Sequence, residues 1–135
     1  MENRSQQLTK LRPVISGAKV TALTSEEESF QNKTLRPIAK MQNDLLLEIF
    51  KNDIKKRKNV YYTLSHQKQA DYIEHAVKND TKLRNIIKGV FIGLFTYDEY
   101  VIYADNNRAL NKRITNLTIE RLKSNMQYFE EAYAS

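Results

Sequence analysis

The stretch 86-IIKGVFIGLFTYDEY-100 is the most hydrophobic part of this chain, and it carries two of the chain's three glycines. Gly89 and Gly93 are four residues apart, so on a helix they lie one above the other. Each glycine costs about 1 kcal/mol of helix stability relative to alanine. We therefore expect close packing to offset this cost, with another helix covering Gly89 and Gly93. The alternative is a ligand or a partner subunit that rests on the bare backbone.

Apolar residues at helical spacing continue on both sides of this stretch. They recur every three or four residues before it, at Leu35, Ile38, Met41, Leu45 and Ile49, and every three to five residues after it, at Leu110, Ile114, Leu117, Leu122 and Met126. This periodicity is typical of amphipathic helices. Three glycines and two prolines provide too few turns for a β-sandwich or barrel. We predict an all-α, single-domain bundle of four to five helices over residues 25–135, with the 86–95 segment in the central helix.

Capping residues predict where the helices begin. Ser25 is followed by three glutamates, Ser65 precedes another apolar periodicity, and Thr96-Tyr-Asp-Glu99 is a capping box. Pro37 predicts a kink or a new helix start, since proline cannot donate a hydrogen bond. The segments Asn79–Thr81 and Asn106–Asn107 predict further breaks, and the last helix is expected to run from about Arg108 to Tyr133.

Residues 1–24 lack this helical pattern. Val14, Ile15, Gly17, Val20 and Leu23 suggest an extended N-terminal arm, docked on the helical domain or on a neighbouring subunit.

Charge and composition narrow the class of protein. The chain has 135 residues, a net charge of +6 and no cysteine, so disulfides and thiolate metal sites are excluded. Its N-terminus has no apolar core of signal-peptide length, and the 86–95 run is too short to span a bilayer. We expect a cytoplasmic protein that does not insert in a membrane. The basic charge is spread along the chain, whereas nucleic-acid binders usually concentrate it on one face.

Two groups of polar residues are candidates for function. Three tyrosines at a spacing of three precede a basic segment, which gives the candidate interaction surface Tyr97, Tyr100, Tyr103, Arg108, Asn111, Lys112 and Arg113. Such residues suit the rim of a dimer interface, and they also suit base stacking and phosphate binding. Separately, Gln42 lies in an apolar row, where a buried amide would fix the register of packed helices.

Motifs for catalysis and for cofactors are missing from the sequence. It contains no H-E-x-x-H, no nucleophile elbow, no G-x-G-x-x-G and no P-loop. The two histidines, His66 and His75, are nine residues apart and fall on different faces of one helix. We therefore assign no catalytic residue, no metal ligand and no cofactor.

Three segments carry a family resemblance: 34-TLRPIAKMQNDLLLEIFKN-52, 89-GVFIGLFTYDEY-100 and 109-ALNKRITNLTIERLKS-124. Over roughly residues 25–128 the chain resembles a small family of uncharacterised bacterial proteins that are often labelled glyoxalase. The resemblance implies glyoxalase activity. Its motifs are packing patterns, however, and the T-H-x-H-x-D-H cluster of the hydrolase type is absent, so it transfers no catalytic residue.

These observations favour an interaction module that acts as a homodimer. The first alternative is a nucleic-acid-binding protein, suggested by the tyrosines and the basic residues. The second alternative is an enzyme, suggested only by the glyoxalase resemblance.

Overall fold

The computed structural model describes residues 2–13 and 25–134, and within these ranges the chain forms helices and no strand. The all-α prediction is confirmed, but the helices are shorter and more numerous than the predicted four to five. They are α1 (Arg4–Leu11), α2 (Glu26–Phe30), α3 (Arg36–Met41), α4 (Asn43–Lys56), α5 (His66–Asn79), α6 (Thr81–Ile92), α7 (Tyr97–Asp105), α8 (Asn107–Ser124) and α9 (Met126–Ala134). A π-helical turn (Gln31–Leu35) joins α2 to α3, and a 3-10 turn (Val60–Thr63) follows α4.

The predicted helix starts are confirmed by their capping hydrogen bonds. The hydroxyls of Ser25, Ser65 and Thr96 each accept a hydrogen bond from the backbone N–H three residues later. Asp80 caps α6 in the same way, and Thr96 forms a complete capping box with Glu99. These local signals were readable because a cap depends on residues close in sequence.

Two unpredicted breaks account for part of the higher helix count. Gln42, with φ −95° and ψ 8°, separates α3 from α4 in what periodicity indicated was one helix. Asn125, with φ −125° and ψ 26°, separates α8 from α9, and its side-chain amide donates to the Arg121 carbonyl. Asparagine favours such breaks because its side chain competes for backbone hydrogen bonds.

The N-terminal segment corrects the prediction of an extended arm. Residues 4–11 form α1, which begins with a capping box between Asn3 and Gln6. The residues that suggested the extended arm, from Val14 to Leu23, lie outside the described ranges. Because α1 buries no residue, polar contacts rather than an apolar face must hold it against the bundle.

Helix α8 occupies the centre of the bundle, where the sequence indicated α6. It buries six side chains and packs against α3, α4, α5, α6 and α7. Helix α6 buries only Leu83, Ile87 and Phe91, and leaves Ile86 48% exposed. The high apolar content of α6 therefore predicted more burial than the structure shows.

Helices α4 and α6 run antiparallel across the core. Gln42 at the start of α4 donates from Nε2 to the Val90 carbonyl near the end of α6, at 3.4 Å. At the other end, Arg57 pairs with Asp80, which caps the start of α6. Gln42 is half-buried between the two helices, and its effect on their register stays a prediction.

The glycines of α6 correct the packing interpretation. A Cβ built on Gly89 meets nothing within 4 Å, so no helix of the described residues covers it. Gly93 ends α6, and a Cβ there would lie 3.0 Å from the Gly89 carbonyl oxygen of its own helix. Among the described residues, no second helix packs closely on either glycine.

Aromatic rings fill one end of the core. Tyr61 is fully buried and makes edge-to-face contacts with Phe50, Tyr72 and Phe129. Its hydroxyl has no hydrogen-bond partner among the described residues. Burial, followed by the nearby Glu130 and Tyr62, raises the pKa of Tyr61 to about 12. The adjacent Tyr62 differs, because its hydroxyl donates to the Phe129 carbonyl at 2.9 Å.

We predict that Gly89→Ala stabilises the protein by about 0.5–1 kcal/mol, because alanine is the better helix former and the added methyl group meets open space. Gly93→Ala is the matched control, and it should gain less or lose stability because its methyl group crowds a carbonyl oxygen. Thermal unfolding of both variants checks this. A lower melting temperature for Gly89→Ala would show that something covers this face in solution.

We predict that Tyr61→Phe raises stability by about 1 kcal/mol, because it removes a buried hydroxyl that makes no hydrogen bond to residues 2–13 or 25–134. Tyr62→Phe should lower stability by about 0.5–1.5 kcal/mol, because it removes a hydrogen bond.

The loss of stability at alkaline pH gives a second test of Tyr61→Phe. The folded-state pKa of Tyr61 is raised from 10 to about 12, so the wild type loses stability as the pH rises from 10 towards 12. Tyr61→Phe lacks this contribution and should lose less stability over that range. Denaturant unfolding at neutral and alkaline pH measures the difference. Equal alkaline losses in Tyr61→Phe and the wild type would contradict the assignment.

Candidate functional site

The structure separates the seven residues of the predicted interaction surface into different places. Tyr97 and Tyr100 lie on an exposed face of α7, and Tyr103 is buried. Arg108 and Lys112 face solvent on the first half of α8. Arg113 turns to another side and donates from Nη1 to the Gln31 side-chain oxygen at 3.1 Å. The tyrosines and the cations therefore do not form one interleaved surface.

Helix α7 presents an apolar stripe to solvent. Its members follow the i, i+3, i+4, i+7 spacing of one helix face and are all exposed: Tyr97, Tyr100, Val101 and Ala104. Tyr97 is 76% exposed and Tyr100 is 49% exposed. The only residue that α7 buries is Tyr103. An apolar stripe of this kind normally packs against the protein core or against a partner.

A cleft of about 480 Å³ adjoins the N-terminal half of the stripe. One wall is α1, with Asn3, Arg4 and Ser5, and the other wall contains Phe95, Thr96 and the two exposed tyrosines. The backbone N–H of Tyr97 donates to the Ser5 hydroxyl at 3.4 Å across this cleft. The α7 stripe is therefore bordered by α1 instead of standing alone.

Two arginines, Arg4 in α1 and Arg12 at its C-cap, hold that border in place. Arg4 donates to the carbonyls of Gly93 and Phe95 at 2.8 and 2.7 Å, and Arg12 donates to the Leu94 carbonyl at 2.9 Å. These three successive carbonyls follow the end of α6. Cations at this position satisfy acceptors that have no partner within the helix and complement the helix dipole.

Glu99 is the acceptor on which these contacts converge. Its carboxylate forms a bidentate ion pair with Arg12, and it accepts from the Thr34 hydroxyl at 2.7 Å and from the Thr96 backbone N–H at 2.8 Å. Burial raises the pKa of Glu99, but the hydrogen bonds from Arg12, Thr96 and Thr34 outweigh burial and leave it below the ordinary value of 4.5. Glu99 therefore stays ionised while it joins α1, the π-helical turn and α7.

Tyr103 connects the α7 stripe to α8. Its hydroxyl donates to the Asn111 side-chain oxygen, and its ring packs against Phe95 and Tyr100. Burial raises the pKa of Tyr103, although the hydrogen bond with Asn111 opposes the rise. Two of the predicted surface residues thus fix the geometry between α7 and α8, and Tyr103 is not available for stacking on a ligand.

A separate pocket of about 430 Å³ lies between the end of α4 and α5 and contains His75. Its lining holds Arg57, Asp80 and Tyr72 but no serine, threonine or cysteine. Arg57 and Asp80 are paired with each other, and the buried Tyr72 hydroxyl has no hydrogen-bond partner in the part of the chain that the structure describes. Burial raises the pKa of Tyr72, Arg57 lowers it and Asp53 raises it, so the net shift is upward. Such a phenol is a poor proton donor near neutral pH.

The described residues contain no group of metal-ligating side chains and no membrane-spanning helix. Within residues 2–13 and 25–134, no three His, Cys, Asp or Glu side chains are grouped so that they could hold a metal ion. Over the same ranges, no helix has the length and hydropathy needed to cross a membrane.

Sequence reasoning missed Arg4 and Arg12. Thr96 and Glu99 were identified as a capping box, but the two arginines lie more than 80 residues away along the chain. The Asn3–Gln6 capping box was the available signal for α1, and it shows only where the helix starts.

Comparison of the chain with protein-family models, with curated proteins and with solved structures finds no match. The resemblance to the family labelled glyoxalase therefore stays a prediction.

We predict that Glu99→Gln lowers stability by about 2–3 kcal/mol, because it leaves the mostly buried Arg12 guanidinium without its counter-charge. Glu120→Gln, at an exposed position of α8, is the control and should change stability by less than about 0.5 kcal/mol. Denaturant unfolding of both variants measures the difference.

The dependence of stability on acidic pH gives a second test of the role of Glu99. Because the folded-state pKa of Glu99 is lowered, its contribution is present above about pH 4.5 and is lost as the pH falls through the folded-state value. Glu99→Gln should therefore lose less stability than the wild type on acidification. Parallel acid profiles would show that Glu99 is not the group responsible.

Proposed function

We propose that this protein is an interaction module that forms a homodimer through the exposed stripe of α7. The observation that carries the proposal is the stripe itself: Tyr97, Tyr100, Val101 and Ala104 occupy one helix face, and no other described residue covers them. Tyrosine is enriched at protein interfaces because its ring buries a large apolar area while its hydroxyl stays hydrated.

The stripe is complementary to a second copy of itself. In an antiparallel pair related by a two-fold axis between residues 100 and 101, Tyr97 of one copy faces Ala104 of the other. Tyr100 then faces Val101. Each large side chain lies opposite a smaller one, which lets the two helices interdigitate. A two-fold axis also uses the same patch on both subunits, as is usual in homodimers.

The size of the interface requires more than α7. A helix of nine residues is about 13 Å long, whereas a stable interface buries roughly 800 Å² on each partner. Helix α1 supplies the adjoining surface, because it borders the stripe and exposes 61% of Leu11. The arginine contacts of α1 would thus contribute to dimerisation by holding that surface in place.

The proposed location in the cytoplasm rests on sequence composition alone. The chain has no cysteine, which suits a reducing compartment.

Sedimentation or light scattering of the purified protein tests the proposal. We expect a mass of about 32 kDa, twice the 15.9 kDa of the chain. Tyr100→Glu should give the monomer, because it places two carboxylates at the centre of the proposed interface.

Ile86→Glu is the matched control for this experiment. Ile86 is 48% exposed, almost the same as Tyr100, but it lies on α6 one turn before the open face of Gly89. We expect this variant to remain a dimer. A monomeric wild type would overturn the proposal, and dissociation by Ile86→Glu alone would move the interface to the glycine face of α6.

A further inference from the structure

A groove of about 460 Å³ lies where the end of α5, the start of α6 and the first half of α8 meet. Four of its seven lining residues are cations and none is acidic: Lys78, Arg84, Arg108, Asn111, Lys112, Thr115 and Asn116. The cations come from the consecutive helices α5 and α6 and from α8, which is more distant in sequence, so the charge appeared diffuse along the chain. Folding concentrates it on one surface.

Most of this charge is not neutralised by neighbours. Arg84, Arg108 and Lys112 have no acidic group within 4.0 Å among the described residues, whereas Lys78 pairs with Glu74. Glu74 also pairs with Lys123, so a single carboxylate serves two lysines. These contacts lower the pKa of Glu74 to about 2, which keeps it ionised. The nearest acid before Arg108 is Asp105 at the end of α7, and α8 has no acid until Glu120.

The groove differs from the densest basic run of the sequence. Lys55, Lys56, Arg57 and Lys58 lie at and just beyond the end of α4, and Arg57 is paired with both Asp53 and Asp80. That run complements a helix terminus. The groove instead places the guanidinium groups of Arg84 and Arg108 and the ammonium group of Lys112 around an open volume. These three groups have no acidic partner among the described residues.

We propose that this groove binds a ligand that carries several phosphates. Guanidinium groups bind phosphate oxygens through two parallel hydrogen bonds, and lysine adds a point charge. The amides of Asn111 and Asn116 and the hydroxyl of Thr115 can donate to further oxygens. No aromatic side chain of the described residues lines the groove, so these residues are suited to phosphates and not to bases. A single-stranded nucleic acid and a nucleoside triphosphate share this chemistry.

The test measures binding of three probes to the full chain: a fluorescent oligothymidine, ATP and inorganic tripolyphosphate. The groove variant is Arg84→Gln/Arg108→Gln/Lys112→Gln. The control variant, Lys40→Gln/Lys55→Gln/Lys56→Gln, removes the same number of charges from exposed positions elsewhere. We expect the groove variant to lose at least about tenfold in affinity and the control to lose less than about threefold, since only the groove variant removes direct phosphate contacts.

The salt dependence gives an independent readout. Three phosphate contacts on a single strand predict a slope of about −2 in log K against log salt. The control variant should keep this slope, and the groove variant should bring it close to zero. If Arg84→Gln disturbs folding because Arg84 is half-buried, then Arg108→Gln/Lys112→Gln against Lys55→Gln/Lys56→Gln repeats the comparison at exposed sites.

The relative affinities identify the source of the phosphates. Tighter binding of the oligonucleotide points to nucleic acid, and tighter binding of ATP points to a nucleotide. Equal losses in the two triple variants would show that binding follows net charge alone and would overturn the proposal. Failure of all three probes to bind at low salt would overturn it as well.

Discussion

The ion pair between Arg12 and Glu99 is the interaction on which the arrangement of this bundle depends. Glu99 is fixed by the Thr96 capping box, which sets the start of α7, and by the hydroxyl of Thr34, which ties it to the π-helical turn. Arg12 adds α1 to the same carboxylate and also binds the Leu94 carbonyl. One acidic side chain therefore joins three segments that are separated by as many as 87 residues.

This polar junction explains why α7 lies where it does. Helix α7 buries only Tyr103, so apolar packing alone does little to hold it. Its start is held by the hydrogen bonds and the ion pair of Glu99, and its C-terminal half is held by the hydrogen bond from Tyr103 to Asn111. These polar, directional contacts hold α7 without burying its apolar stripe, so the stripe remains exposed to solvent.

The sequence predicted features that depend on near neighbours and missed those that depend on distant ones. The caps at Ser25, Ser65 and Thr96 were predictable because a cap is formed within four residues. The break at Gln42 was not, because its side chain contacts α6, 48 residues away. The glycine interpretation failed for a related reason: high hydrophobicity indicates that a helix is buried somewhere, but not which of its faces is covered. In the candidate surface, the regular spacing correctly predicted that Tyr97 and Tyr100 share one helix face. Because the chain turns between α7 and α8, Arg113 lies away from this face and contacts Gln31.

The π-helical turn before Pro37 has a consequence for how the chain tolerates insertions and deletions. The N–H of Arg36 bonds to the Gln31 carbonyl five residues back, so this turn holds one residue more than an α-helical turn. The wider turn relieves the clash that a proline ring makes with the carbonyl four residues before it. One residue corresponds to about 100° of rotation on a helix. Deleting a single residue here would therefore rotate α2 relative to α3 and carry Phe30 away from Phe95, with which it makes an edge-to-face contact. The helical phase of α2 relative to α3 is thus set by one extra residue.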